Sequence, residues 1–185
     1  MKGSKHSSDP IPDLSATIGD FWAWAYSNLN ENTVRPVFAE FLVGSLLGIQ
    51  STGRTEWDAY DLLYEATKVE VKSSAYVQAW RSPTPSPPRF DIAPKSTWDV
   101  GSRTFKGPIK RQADVYVFCF YPERERDNAN PMDIAAWQFW VVPSQALDRE
   151  LGVQKSLGLT TLARFTESVG ADQLRQTVDC VVGSL

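Results

Sequence analysis

The chain has 185 residues, of which 42% are hydrophobic and 22% charged, and a formal net charge of −3 at pH 7. These values are ordinary for one soluble globular domain, and the acidic balance argues against indiscriminate binding of nucleic acid. No apolar run reaches the length that a membrane span requires, and no secretory signal precedes the fold.

The N-terminal region divides into a tail and the start of the domain. We predict a flexible polar tail over residues 1–12, a single domain over residues 13–185, and a first helix over residues 14–29. The two cysteines, Cys119 and Cys180, are too few and too scattered for a disulfide framework or a zinc site. This cysteine usage favours a reducing, cytoplasmic setting.

A second helix is predicted over residues 33–48, and it carries one acid on an apolar background. Glu40 is the only charged residue between Arg35 and Arg54. A carboxylate in such a place needs a partner, because burying it unpaired is costly. Two alternatives follow: a structural ion pair with an arginine such as Arg54, or a contact with a metal ion.

Two strands follow, predicted over residues 57–64 and 68–78. Along the second strand, alternation places Glu70, Lys72 and Gln78 on one face and the valines on the other. A turn over residues 64–67 would place Asp61 opposite Glu70, so that both share a face with Lys72. Asp58, three residues before Asp61, would then point the other way.

The predicted cluster has a definite chemistry. Two adjacent carboxylates repel each other unless a proton or a cation lies between them, and Mg²⁺ prefers oxygen ligands. A bound metal ion polarises a phosphoryl oxygen and lowers the pKa of a bound water. The ammonium of Lys72 can orient that water or stabilise developing negative charge.

These residues resemble a known family. Asp61, eight intervening residues and then Glu70-Val71-Lys72 are similar to the core motif of the PD-(D/E)XK nuclease superfamily, which has the restriction-endonuclease-like fold. The resemblance covers roughly residues 33–80, with further support from a strand near residues 113–121. The chain departs from the motif at Tyr60, where the motif has proline.

The resemblance implies a role for each matching residue. Asp61 and Glu70 would hold Mg²⁺, for which Mn²⁺ is expected to substitute, and Lys72 would assist the attacking water. Glu40 matches the glutamate that many members supply from a helix before the hairpin, as a third acid. Gln78 matches the glutamine that follows the lysine in some members, and it would orient water or phosphate.

The next segment is the most basic part of the chain. Residues 81–111 contain seven basic and two acidic residues, a net charge of +5, which leaves −8 for the rest. We predict a long basic, proline-rich loop over residues 82–110, which either supplies counter-charge to a phosphate backbone or is a solvated loop. The predicted nucleic-acid contacts are Arg81, Arg103, Lys106, Lys110 and Arg111.

The remainder returns to regular structure. Strands are predicted over residues 111–121 and 136–143, and helices over residues 145–151, 160–168 and 171–182. Asp114, at the start of the first of these strands, is predicted to be a structural partner and not a ligand. The fold class is therefore α/β, a mixed sheet of four or five strands flanked by helices, as the resemblance also implies.

The resulting functional expectation is a metal-dependent nuclease that hydrolyses phosphodiester bonds, with DNA favoured over RNA as the partner and no membrane association. Many proteins of this type form homodimers, so a homodimer is a further expectation. One alternative is a non-catalytic protein of the same fold that binds nucleic acid or another protein. Another is that Glu70 and Lys72 form only a surface ion pair on a different fold.

Overall fold

The computed structural model describes residues 5–49, 53, 59–78, 87–99 and 104–185. The helices are α1 (Ile18–Ala25), α2 (Val34–Leu47), α3 (Ser144–Leu151), α4 (Leu159–Leu162) and α5 (Ala171–Val182). The strands are β1 (Leu62–Tyr64), β2 (Thr67–Ala75), β3 (Arg89–Asp91), β4 (Lys95–Asp99), β5 (Thr104–Lys110), β6 (Val115–Tyr121), β7 (Gln138–Pro143) and β8 (Ser156–Gly158). No helix in these ranges is long and apolar enough to cross a membrane.

A four-stranded sheet forms the centre, in the order β1-β2-β6-β7. Strands β2 and β6 run parallel, whereas β1 and β7 pair antiparallel with β2 and β6 respectively. The mixed sheet of four strands with flanking helices confirms the predicted fold class. Two smaller antiparallel pairs, β3 with β8 and β4 with β5, lie outside this sheet.

The central strand β6 is covered on both faces, and every one of its residues is buried. Its sequence is accordingly a continuous apolar run, as a doubly covered strand requires. The face bearing Val115, Val117 and Cys119 packs in one core cluster with α2 and α5. The opposite face, bearing Tyr116 and Phe118, packs in a second cluster with residues from β3, α3 and α4.

Helix α2 covers one face of β2 through a buried apolar stripe formed by Ala39, Leu42, Val43 and Leu47. It ends at Gly48, whose φ of 73° lies in the left-handed region that glycine adopts without strain. A side chain at Gly48 would also lie 3.3 Å from a guanidinium nitrogen of Arg175. The helix therefore ends where the sequence predicts.

The β1–β2 hairpin sets the register on which the site depends. Leu62 pairs with Val69 and Tyr64 pairs with Thr67 across a tight turn, in which Glu65 has a φ of 54°. Continued by one residue, this register places Asp61 opposite Glu70, in agreement with the predicted turn. Strand β1 is only three residues long, however. The predicted strand over residues 57–64 is therefore too long in the part before Leu62 that the structure describes.

The predicted loop over residues 82–110 needs correction, because it contains three strands. Strand β3 pairs with β8, and β4 pairs with β5 as a hairpin that includes Pro108. Proline is tolerated at the edge of a two-stranded ribbon, where its missing N–H is not required by a second neighbour. Pro108 lies within β5, whereas Pro87, Pro88 and Pro94 lie outside the strands.

Helix bounds also differ from the predictions at three places. The first helix is shorter, because Thr17 and Asp20 form a capping box that starts α1 at Ile18. Helix α3 begins at Ser144, one residue before the predicted start, and the Ser144 hydroxyl donates to the carbonyl of Ala113. The helix predicted over residues 160–168 is the four-residue α4, since the chain turns after Leu162.

Candidate active site

Glu70 and Lys72 lie on the same face of β2 and form an ion pair. Lys72 Nζ donates to Glu70 Oε1 at 2.5 Å, and both side chains are about four-fifths buried. Two residues apart on a strand, they project in the same direction, as the sequence predicts. In the parallel register Glu70 lies beside Tyr116 of β6. Tyr116 is buried and borders the same cleft as Glu70.

Asp61 lies immediately before β1 and turns its carboxylate to the edge of β2. Its Oδ2 accepts a hydrogen bond of 2.7 Å from the backbone N–H of Val71. Burial and the charges of Glu70 and Glu40 raise the pKa of Asp61 to about 7, against the lowering effects of the Val71 N–H and Lys72. Loss of hydration is the main reason for the raised pKa of Asp61, and repulsion by the neighbouring carboxylates adds to it.

The charge of Lys72 is stabilised by the surrounding acids. Burial lowers its pKa, but the carboxylates of Glu70, Asp61 and Asp91 outweigh burial, so the pKa of Lys72 rises above its ordinary value. The ammonium is therefore fully protonated at neutral pH. At this pH it is a positive charge and a hydrogen-bond donor, here to Glu70.

Glu40 projects from α2 toward the same region and is buried. It borders a cleft together with Asp61, and its charge is one of the groups that raise the pKa of Asp61. The alternative partner considered for it, Arg54, lies outside the described residues. The structure therefore places Glu40 near Asp61, where its charge acts on that carboxyl.

The donor set fits a hard divalent cation only in part. Asp61 and Glu70 offer carboxylate oxygens, and their mutual repulsion is the electrostatic condition that a bound cation relieves. Across the described ranges, however, no three His, Cys, Asp or Glu side chains come together closely enough to hold a metal ion. The set Glu40–Asp61–Glu70 is not assembled there, so an ion such as Mg²⁺ would be held by fewer carboxylates, with water completing its shell.

Two clefts meet at these residues, and Asp61, Lys72 and Asp91 border both. The first cleft, of about 570 Å³, also contains Glu70 and the basic residues Lys95 and Lys110. The second, which we call the edge cleft, has a volume of about 580 Å³ and follows β2 beyond its pairing with β1. It is bordered by Arg35 and Glu40 of α2, Gln78 and Arg89.

Asp91 is a site residue that the sequence did not single out. Its carboxylate accepts hydrogen bonds from Lys95 Nζ at 2.8 Å and from the N–H of Ala93 at 3.0 Å. Burial opposes ionisation, but these bonds and the charge of Lys72 lower the pKa of Asp91. A pattern of residue spacing does not reveal Asp91, because it follows Lys72 by 19 residues, across a proline-rich segment. It reaches Lys72 only through the position of β3.

Gln78 lies in the edge cleft, but its amide is engaged by the protein. Its Nε2 donates to the carbonyl of Ala75 at 2.8 Å, and its Oε1 accepts a long bond of 3.5 Å from Arg35. Its predicted role with water or phosphate stays a prediction. Reaching a substrate would require the amide to exchange these bonds.

Arg111 is not available to a nucleic acid, contrary to the sequence prediction. Its side chain is fully buried and donates to the carbonyls of Ile92, Gly152 and Gln154 and to the carboxylate of Asp148. Four hydrogen bonds from one guanidinium thus tie the start of β6 to the loop after α3. Arg111 is a structural residue.

The other predicted contacts are partly described. Lys110 is exposed on β5 and borders the first cleft. Arg81, Arg103 and Asp58 lie outside the described residues, and of Lys106 only the backbone, in β5, is described. Asp114 behaves as predicted, since its carboxylate accepts from the N–H of Lys68 at 2.9 Å as a structural partner.

Comparisons with known proteins give one finding on the fold. No protein-family model matches the sequence, and no curated protein matches it. Among solved structures, the chain is similar to a bacterial homing endonuclease, with 15% sequence identity and a TM-score of 0.41. The similarity covers 83% of this chain and 94% of that one.

Proposed function

We propose that this protein is a metal-dependent nuclease that hydrolyses phosphodiester bonds, with DNA as the favoured substrate. The observation that carries the proposal is the position of Asp61 opposite Glu70 and beside the protonated Lys72, where burial first, and then the charges of Glu70 and Glu40, raise the pKa of Asp61 to about 7. Such an excess of carboxylate around one fixed cation is a common feature of sites that bind a divalent ion together with a phosphate.

Each residue has a role that follows from its position. Asp61 and Glu70 would hold the ion, with Glu40 acting on it through its charge. When bound, the ion would polarise the scissile phosphate and favour ionisation of an attacking water. The Lys72 ammonium, whose proton is held by the surrounding acids, would donate to the phosphate oxygens and stabilise the charge that develops on them.

Substrate approach is supported by the distribution of basic residues. Lys95 and Lys110 border the first cleft beside Glu70 and Lys72, so positive charge lies next to the carboxylates. A phosphate backbone needs such counter-charge before it can approach an acidic cluster. A homodimer and a cytoplasmic location remain predictions of the sequence.

The direct test is a cleavage assay with Mg²⁺ or Mn²⁺ against plasmid, linear duplex, single-stranded DNA and RNA. We expect cleavage of duplex DNA that chelation abolishes. Lys72→Ala should lower the rate at saturating DNA by at least about a hundredfold, since it removes a donor to the developing charge. The matched control is Lys68→Ala, an exposed lysine of the same strand, which should cut at the wild-type rate.

Two outcomes would contradict the proposal. Cleavage by Lys72→Ala at the wild-type rate would remove Lys72 from the reaction and overturn the site. DNA binding without cleavage under every metal condition would instead favour the non-catalytic binding protein.

A further inference from the structure

Acidic and basic residues border different parts of the edge cleft. Asp61 and Asp91 lie near Lys72, with which both interact electrostatically. Farther along β2, the backbone N–H of Arg89 donates to Ser74 Oγ at 3.2 Å, which places Arg89 beside a residue two positions beyond Lys72. Arg35 reaches the cleft beyond that point, where it bonds to Val77 and Gln78. One end of the cleft, where Glu40 also acts on Asp61, is thus acidic around Lys72, and the other end is bordered by two arginines.

Arg35 is a buried cation with unusual partners. Its residue exposure is 5%, and its four side-chain hydrogen bonds to residues that the structure describes all go to neutral oxygens. Burial lowers the pKa of Arg35 to about 10. A guanidinium removed from water in this way is costly unless an anion compensates it.

The four bonds of Arg35 differ in strength. Those to the carbonyl of Asn30 and the side-chain oxygen of Asn32 are 3.1 and 2.8 Å long, and they fix the guanidinium at the start of α2. Those to Val77 and Gln78 are 3.4 and 3.5 Å long, near the limit for a hydrogen bond. An incoming anion could replace the two long bonds at little cost and leave the two short ones intact.

Two buried polar atoms bordering the same cleft also need partners. Within the described part of the chain, neither Arg35 Nε nor Ser73 Oγ has a hydrogen-bond partner. Buried polar atoms without partners are rare in folded proteins, and one explanation for them is a bound group. Here one is a donor and the other a hydroxyl, and both can donate to an anion.

We propose that the edge cleft is a second phosphate-binding site, which takes a backbone phosphate next to the one that is cleaved. Arg35 and Arg89 supply the counter-charge from opposite walls, on α2 and β3, and Ser73 supplies a hydroxyl. Ser74 lies roughly 6–7 Å from Lys72 along β2, about one nucleotide step from the reaction site. The inference rests on the proposed function for the identity of the neighbouring site.

The test measures binding, without metal, of a short fluorescently labelled DNA duplex at several salt concentrations. Arg89→Gln and Arg35→Gln should each weaken binding about tenfold, as loss of a hydrogen bond to a charged group predicts. Each should also lower the slope of log affinity against log salt by about one unit. Arg149→Gln on α3, an exposed arginine away from both clefts, is the control and should change neither quantity.

A terminal phosphate and an internal phosphodiester present the same chemistry, so the duplex is used with and without a 5′-phosphate. An effect of the variants that disappears without the 5′-phosphate identifies a terminal phosphate, whereas an effect that persists identifies an internal one.

Arg35 also holds the start of α2, so circular dichroism must show that Arg35→Gln is folded. Arg89 is exposed, and its variant keeps the test decisive even if Arg35→Gln does not fold.

The outcomes separate this inference from the proposed function. Wild-type cleavage together with unchanged affinity and salt slope in Arg89→Gln overturns the second phosphate site alone. Failure of the wild type to cleave, with the predicted weakening of binding in the variants, overturns the nuclease and supports the phosphate site. Failure of the wild type to bind DNA overturns both.

Discussion

At the scale of single residues, the position of Asp61 suits the proposed metal site but is unfavourable for the stability of the folded chain. The fold holds its carboxylate by the Val71 N–H, yet burial and the neighbouring acids oppose its ionisation. A carboxyl whose pKa is raised in the folded chain is protonated in both the folded and the unfolded state at low pH. It therefore does not lower the free energy of unfolding there. As the pH rises from about 4 to about 7, its ionisation increasingly destabilises the folded state.

Replacing Asp61 by asparagine should therefore stabilise the metal-free protein at high pH. The asparagine side chain would keep an acceptor for the Val71 N–H while removing the repelled charge. We expect Asp61→Asn to raise the free energy of unfolding by about 2–4 kcal/mol at pH 8, and by much less at pH 4. Urea unfolding at both pH values measures this, with the exposed Asp127→Asn as the control. A gain that is the same at both pH values would contradict the raised pKa.

A divalent ion should have the same stabilising effect on the wild type. Binding of Mg²⁺ or Mn²⁺ to the folded chain alone raises its melting temperature as the ion concentration increases. We expect such a rise at pH 8 in the wild type and its loss in Asp61→Asn, measured by thermal denaturation. A melting temperature that does not respond to either ion in the wild type would argue against the metal site independently of any activity.

At the scale of secondary-structure elements, a buried arginine holds together parts of the chain that the sheet does not connect. Arg111 bonds to Ile92 just after β3, to α3 through Asp148, and to the loop that follows α3. Three of these acceptors are backbone carbonyls, of which that of Ile92 belongs to a buried residue. The same region carries β3 and hence Asp91 to the site, and Arg111 itself borders the first cleft with its side chain committed to these bonds.

Replacing Arg111 should therefore reduce stability and not merely DNA affinity. Arg111→Met keeps much of the side-chain volume but leaves the carbonyls without donors. It should lower the free energy of unfolding by about 2–4 kcal/mol in urea denaturation. Arg149→Met, at a side chain that is 71% exposed, should change it by less than about 0.5 kcal/mol. A fully stable Arg111→Met with weakened DNA binding would restore Arg111 as a nucleic-acid contact.

At the scale of the whole molecule, an acidic chain must attract a polyanion through a local concentration of positive charge. The segment over residues 81–111 carries a net charge of +5 within a chain of −3. The β4–β5 hairpin belongs to this segment, and its Lys95 and Lys110 border the first cleft. The positive region thus lies beside the acidic site, where it can guide a phosphate backbone toward it.

Neutralising this hairpin should weaken DNA binding in a salt-dependent way. We expect the double variant Lys106→Gln, Lys110→Gln to lower the salt slope of DNA affinity by roughly one unit for each phosphate that the protein no longer neutralises. Fluorescence anisotropy across a salt series measures the slope. The control pair Arg149→Gln, Arg164→Gln makes the same change of charge in α3 and just after α4, outside the hairpin. An equal decrease in both double variants would show that net charge matters and the hairpin does not.

The sequence by itself determined the features that depend on local periodicity. Alternation along β2 placed Glu70 and Lys72 on one face, and the short turn before it set the register in which Asp61 is opposite Glu70. The continuous apolar run of β6 is likewise typical of a largely buried strand. Strand geometry and hairpin register are set by neighbouring residues, so the sequence suffices for them.

Only the tertiary structure decided which distant residues join the site and which basic residues are structural. Asp91 reaches Lys72 through the pairing of β3 with β8, and Arg35 borders the edge cleft because α2 packs on β2. Arg111 and Lys110 are adjacent in the chain and equal in charge, yet one is buried and the other exposed. Such differences arise from packing between elements far apart in sequence, which no local pattern encodes.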